Sequence, residues 1–411
     1  MSRRDKTPIA AGQPPQASAE REAGMAPSRR TFLATALTVG AGSVAVPSSG
    51  AAAAALSSTP AYQLPVPAFE TRLTREYGVR VPFVGAGMGF VAMPELVAAV
   101  SNAGGIGVLG NAIEPATGTQ MLIQQIKLKT KKPFGVDFMV DDSAFGPMTT
   151  SDHIAMCIAE QVKLVVFHVN VPPKEWIDQL HANGARVWMQ AASVDQAVAA
   201  AKLGVDAVIA QGSEAGGHNK SKTPLHVLLP EVIRAVHPIL VLAAGGISDG
   251  DGVFKAMSRG ADGVWVGTRL VASREAYAHA AYKARIVAAG DESTVSTTMF
   301  GPEYPDRPYR VLRNRIVNEF AGCESSIPTP PPPPLVIGTT LLFPQTVRLP
   351  YTMPKFSAIV PTPDTAGDFE EMGMPAGAGV GAIRDIPPVA QIVASMMFDA
   401  KECFRRAAEA R

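Results

Sequence analysis

The chain has 411 residues, 47% of them hydrophobic and 18% charged, with a formal net charge of +1 at pH 7. So large an apolar share can bury a sizeable core, which excludes a disordered polyelectrolyte. Charges that nearly cancel leave no broad positive field for a phosphate backbone, so no nucleic-acid partner is expected.

In chain order, residues 1–58 read as a leader rather than as part of a fold. Residues 1–27 have no apolar period, and then Arg29 and Arg30 stand directly before Thr31, Phe32 and Leu33. A weakly apolar stretch follows to Val46, and a small-residue run from Ser48 to Ala55 closes it, the three-part order of a signal peptide. The stretch is short and glycine-containing, whereas a stable membrane span needs about 20 strongly apolar residues. The segment resembles a twin-arginine signal. That resemblance implies the twin-arginine translocon as a partner during export, folding and cofactor loading before crossing, and a periplasmic or extracellular destination.

Residues 59–290 carry eight short apolar runs, each closed by glycine or a polar residue and separated by segments of helical period. The runs are Val81 to Met88, Gly105 to Gly110, Phe134 to Val140, Leu164 to Val169, Arg186 to Ala191, Ala207 to Gly212, Ile239 to Gly245 and Gly263 to Thr268. Pro94 to Ala103 and Val194 to Leu203 read as two of the helices between them. Gly104, Gly184, Gly204 and Gly260 follow helical segments where a left-handed stop is wanted. This is the arithmetic of a (β/α)8 TIM barrel, and an open doubly wound sheet is its rival. Against the rival, the glycines of Gly85 to Gly89 lack a matching helix start and a downstream acidic partner.

Residues 291–411 are expected to form a helical and loop-rich cap over one end of the barrel. A Pro-rich segment, 327–334, is a linker or surface loop, since such a run cannot join a helix or a central strand. Pro387 to Arg406 reads as a closing helix containing Ile392, Val393, Met396, Met397 and Phe398. Cys157, Cys323 and Cys403 show no metal or redox spacing, so no metal is expected.

Barrel enzymes work on the loops that follow their strands, and the last two loops often take a phosphate. After the seventh run stand Gly245 and Gly246, and after the eighth Gly267 and Thr268. Glycines there expose backbone N–H groups that can hold a dianion, and Thr268 adds a hydroxyl. The sixth run ends in QGSEAGGH, where Gly216 and Gly217 allow a flat ligand close to the backbone, and Glu214 and His218 put ionisable groups at the mouth. His218 is the candidate catalytic residue, as a general base or as a donor to a developing anion near neutral pH. His168 faces the same rim by strand arithmetic. His153, His181, His226, His237 and His279 fall on expected helices or their ends and read as surface or structural.

From about Thr71 to Ser273 the chain resembles the nitronate monooxygenase family. The blocks that carry the likeness are PELVAAVSNAGGIGVLG at 94–110, KKPFGVDFMV at 131–140, GVDAVIAQGSEAGGH at 204–218, AAGGISDGDG at 243–252 and GADGVWVGTRL at 260–270. GMPAGAGVGAIRDIPP at 373–388 is similar to the family's closing segment. The resemblance implies FMN at the barrel mouth, its phosphate on Gly245, Gly246, Gly267 and Thr268, Met88 against the isoalloxazine ring, and His218 as the active-site histidine. It also implies oxidation of alkyl nitronates by molecular oxygen to a carbonyl compound and nitrite. Two positions depart from the family's pattern. Asp137 stands where an Asn would meet the flavin, and Gln190 replaces a lysine that some members carry. An FMN-dependent NAD(P)H reductase of enoyl or quinone substrates is the alternative on the same barrel, and a flavin-free binding protein is a reading of a different class.

Overall fold

Alternate residues of the eight apolar runs pack into two different clusters, the signature of strands buried on both faces. The computed structural model describes residues 69–327 and 335–410; the leader with its arginine pair and most of the Pro-rich segment lie outside the described residues. The strands are Phe83–Gly85 (β1), Gly107–Asn111 (β2), Phe134–Met139 (β3), Leu164–His168 (β4), Arg186–Ala191 (β5), Ala207–Gln211 (β6), Leu240–Ala244 (β7) and Gly263–Val266 (β8), each overlapping its expected run. Each strand pairs in parallel with the next from β2 to β4, from β4 through β5 to β6, and on through β7 to β8. β8 pairs back with β1, and a Val84–Ile106 bridge joins β1 to the start of β2. Strand order that follows the chain around a closed ring is a (β/α)8 barrel and rules out the open sheet.

The helices match their expected spans closely. Pro94–Asn102 starts with proline at its first turn, where the missing N–H is no loss, and Val194–Lys202 is capped by Ser193, whose hydroxyl accepts from the Gln196 N–H. Gly104, Gly184, Gly204 and Gly260 all have positive φ, as a left-handed stop requires. Inside the ring, Val84, Val108, Val166, Trp188, Ile209, Leu242 and Trp265 form one cluster; their chain neighbours Phe83, Leu109, Val165, Val187, Val208, Val241 and Val264 pack outward among the helices. Successive strand side chains point to opposite faces, so this parity assigns every position of a strand to one side or the other. Trp188 is fully buried and donates from its indole N–H to the Tyr77 hydroxyl at 2.6 Å. Its truncation to Ala would cost about 3–5 kcal/mol.

The cap departs from expectation in its regular structure. It is loop-rich with a long closing helix, and it also carries antiparallel ribbons that were not foreseen: Thr294–Thr297, Tyr309–Leu312 and the short strand Gly217–His218 form one sheet, and Val336–Leu342, Leu349–Pro354 and Ala366–Gly367 form another. Arg315–Phe320 is a single short helix. Val336–Leu342 pairs with Leu349–Pro354 through a register shift near Gly338 and buries Ile337, Thr340 and Leu342. The closing helix, Val389–Glu409, packs beside Gly250–Ser258 with Ile392, Val393, Met396 and Met397 buried. Phe398, two positions off that stripe, is 62% exposed.

Candidate functional site

Continuing the interior parity to the C-terminal ends of the strands puts Asp137, His168, Gln190 and Gln211 on four consecutive strands, pointing into the mouth. One cavity, with about 1410 Å³ of empty space including its open mouth, is lined by all four. The same cavity is lined by Met88, Asp137, Gln190, Gly216, Gly217, His218, Gly245, Gly246, Gly267 and Thr268, while Glu214 is not part of its lining.

The two glycine loops form one end of it. Gly245 and Gly246 have φ of 110° and 71°, a left-handed backbone that turns the chain sharply after β7. Among the described residues the N–H groups of Gly246, Gly267 and Thr268 have no protein acceptor, and Thr268 begins the short helix Thr268–Val271. All three residues line the cavity, and free N–H groups there can serve as a nest for an anion. The Thr268 hydroxyl oxygen accepts from the Gly377 N–H at 2.9 Å, which ties the closing segment to this loop. Gly377 and Gly379 line the cavity as well. Sequence reasoning did not place them there; the signal was the glycine-rich GAGVG run itself, but only the fold returns it to the mouth.

Glu214 is not a group of the cavity. Both its carboxylate oxygens accept from the Leu225 N–H, at 3.0 and 2.9 Å, and so cap the helix Leu225–Val236. A carboxylate at a helix N-terminus meets unpaired N–H groups and the positive end of the dipole, which outweighs exposure at the mouth.

His218 stacks face to face on Tyr309, its cross-strand neighbour, with ring centroids 4.2 Å apart, and meets the edge of Tyr304 at 4.8 Å. Tyr304 is held in turn by donating to Asp141 at 2.6 Å, with Arg307 over its ring. Among the described residues the Nδ1 of His218 is sealed from solvent and has no hydrogen-bond partner. Burial, with His168 nearby, pulls its pKa down to about 3, against a smaller opposing effect of the Pro308 carbonyl. The imidazole is therefore neutral at neutral pH, where the sequence had suggested a group titrating close to it. The tyrosines come from the cap, beyond the βα pattern, and nothing local in the sequence marks them.

Asp137 is 2% exposed and its Oδ1 accepts from His168 Nδ1 at 2.8 Å. It lines the cavity, and its partner His168 was not foreseen. Both residues sit at interior positions at the ends of adjacent strands, β3 and β4, so strand parity could have found the pair. Gln190 and Gln211 face the cavity, and their amides make no hydrogen bond within the described residues. Glu303, from the cap, also lines it; buried, it accepts from Tyr351 Oη at 2.7 Å, Ser357 Oγ at 2.6 Å and the Ala358 N–H at 2.7 Å. Among the described residues no group of His, Cys, Asp and Glu has the arrangement of a metal site, and no helix is long and apolar enough to cross a membrane.

Polar side chains at the strand ends, free N–H groups after the last two strands and a half-buried histidine mark the C-terminal mouth of this (β/α)8 barrel as its candidate site. The nitronate monooxygenase family model matches residues 70–399, and the chain belongs to that family. It is 39% identical over 251 residues, 61% of this chain and 67% of the relative, to a (3aS,4S,5R,7aS)-5-hydroxy-7a-methyl-1-oxo-octahydro-1H-indene-4-carboxyl-CoA dehydrogenase of Rhodococcus jostii. To a probable nitronate monooxygenase of Staphylococcus aureus it is 30% identical over 301 residues, 64% of this chain and 83% of that protein. Among solved structures, FabK from Thermotoga maritima superposes with a TM-score of 0.69 at 32% identity, covering 84% of this chain and all (100%) of that one. A nitroalkane oxidase from Streptomyces ansochromogenes superposes with a TM-score of 0.66 at 26% identity, covering 82% and 99%.

Proposed function

We propose that the protein is an FMN-dependent oxidoreductase that oxidises alkyl nitronates, or related stabilised carbanions, with molecular oxygen. The observation that carries this reading is the convergence of the anion nest, the uncommitted amides of Gln190 and Gln211 and the His218 clamp in one cavity of a family member. The residues fit FMN. Gly246, Gly267 and Thr268 offer free N–H donors to a phosphate, and the open space beside Gly217, where a side chain would stand, leaves room for a flat ring. Met88 supplies an apolar thioether beside it, and Gln190 and Gln211 can donate and accept along a heterocycle's edge.

Bound FMN would supply the electron-accepting ring. The chain's own residues bind the substrate, exclude water and handle the proton. His218, neutral and packed against Tyr304 and Tyr309, lines the cavity without bringing a full charge to it.

The test is an absorbance spectrum of the purified protein, followed by oxygen uptake and nitrite release with preformed ethyl nitronate. Flavin bands with turnover support the reading; a colourless protein that releases no FMN on denaturation sinks it. The likeness to FabK favours one second reading, an NAD(P)H-dependent enoyl or quinone reductase. Anaerobic bleaching of the flavin by NADPH without any nitronate would favour that reductase. Export by the twin-arginine route, to the periplasm or beyond, is also part of the proposal and rests on Arg29, Arg30 and the stretch after them.

A further inference from the structure

The cavity changes chemistry from one side of the barrel mouth to the other. In the ring of strands β3 stands opposite β7. After β7 and β8 the cavity presents the free backbone N–H groups of the nest. Across the ring, at the end of β3 and in the loops after β2 and β3, it presents Ile113, Met139, Phe145 and Met148, and the cap adds Ile359. Ile113 packs both against the cluster of Met139 and Met148 and against the cap cluster that contains Ile359, so these residues form one continuous apolar wall. The polar groups beside it are already engaged: Tyr304 donates to Asp141, and the Glu303 carboxylate accepts three hydrogen bonds within the cap.

The wall is braced rather than loose. Asp142–Ser143 and Gly146–Pro147 pair as a hairpin after β3, and Phe145 is one of the two residues at its turn. Glu303 ties this hairpin to the cap. Its carbonyl oxygen accepts from the Ala144 N–H, and its carboxylate accepts from Tyr351 on the ribbon and from Ser357 and Ala358 just before Ile359. Phe145 meets the Tyr351 ring edge-on, with centroids 6.4 Å apart. It lines the cavity and is nevertheless 44% exposed, so the protein's own packing uses only part of its ring and the rest stands open at the rim.

We propose that this wall holds a long alkyl chain of the substrate, and that Phe145 is the residue that sets the preference for it. The reacting carbon and its oxygens stay at the polar strand ends, where Gln190 and Gln211 have uncommitted amides, and the chain runs past Ile113 and Met148 to the rim at Phe145. Met139 and Met148 are unbranched and adapt to the chain's conformation. Each methylene that leaves water for the wall strengthens binding by about fourfold. Phe145 is a specificity residue and takes no part in the chemistry. The inference deepens the proposed oxidation of nitronates by naming the substrate's apolar part, rests on that reading, and is tested so that the two fail separately.

The test is a homologous series. Oxygen uptake gives kcat/KM for preformed nitronates from ethyl to hexyl, and calorimetry gives the affinity for 2-methyl-2-nitroalkanes of increasing chain length, which have no α C–H bond and form no nitronate. The purified protein is expected to gain about three- to fourfold per methylene in both measurements, or about 10²-fold from ethyl to hexyl. Phe145→Ala should flatten that slope, lowering kcat/KM for hexyl nitronate by about tenfold, mainly through KM, and that for ethyl nitronate far less. Phe145→Leu keeps an apolar side chain and should retain most of the slope. A parent whose kcat/KM does not rise with chain length overturns the proposal. So does Phe145→Ala lowering every chain length equally, the mark of a hairpin that only supports the cap. Affinity for the tertiary nitroalkanes that rises with length, with no nitronate turned over, keeps the wall as an alkyl-chain site and sinks the nitronate reading.

Discussion

Gly379 lies against Gly246 so closely that a Cβ on Gly379 would sit 2.4 Å from the Gly246 carbonyl oxygen. The closing segment and the loop after β7 therefore support each other backbone to backbone, and the anion nest depends on residues more than a hundred positions apart. Gly379→Ala should displace that loop and lower FMN content strongly, while far-UV circular dichroism stays that of the parent barrel. Gly246→Asp should do the same more completely, adding a carboxylate where a dianion is expected and a side chain at φ 71°. Flavin released on denaturation measures both, and undiminished FMN in Gly246→Asp would put the phosphate elsewhere.

His218 links the site to acid stability. Its folded pKa of about 3 lies below the usual histidine value of 6.5, so the unfolded chain binds a proton that the folded chain refuses. Stability is then fully present above about pH 6.5 and declines as pH falls toward 3, by up to about 1.4 kcal/mol per pH unit. His153, whose pKa burial also lowers, acts in the same direction. Denaturant midpoints between pH 7 and pH 4 should fall less steeply in His218→Asn than in the parent, and parallel slopes would show that His218 titrates normally.

In catalysis, His218→Ala should leave FMN bound, because the nest lies on other loops. Turnover should fall by about 10²-fold or more, to similar extents with neutral nitroethane and with preformed nitronate, as expected of a group that meets the anion rather than the proton. Steady-state kinetics on both substrates check this, and unchanged kinetics would return His218 to a packing role.

Glu303 holds the cap to the cavity. In Glu303→Ala the Ser357 hydroxyl and the Ala358 N–H lose a charged acceptor in a buried setting, at about 1.5–3 kcal/mol for such a bond. A lower unfolding midpoint is expected, together with easier quenching of flavin fluorescence by iodide as the cap loosens.

Replacing Arg29 and Arg30 with Lys should leave the protein unprocessed in the cytoplasm. In the parent, N-terminal sequencing should find the mature start between Ala51 and Ser58. Unchanged fractionation of the double variant would refute the signal.

The eight strands and their helices were legible in the sequence because each depends on local spacing: a short apolar run, a glycine stop, a helical stripe. Once closure into a barrel is granted, the ends of β7 and β8 place Gly245, Gly246, Gly267 and Thr268 together without reference to any other part of the chain. The cap was not legible in that way. Its ribbons pair segments such as Gly217–His218 with Tyr309–Arg310, and a contact of that separation leaves no period in the sequence. Glu214 and His218 stand only a few residues apart in one motif, and their sequence alone made both groups of the mouth. Tertiary structure separated them, because the N-terminus of Leu225–Val236 offered Glu214 unpaired N–H groups while Tyr304 and Tyr309 packed against His218 and its Nδ1 was sealed from water. The protonation state of a side chain is set by what surrounds it in space, and those neighbours come from the far end of the chain.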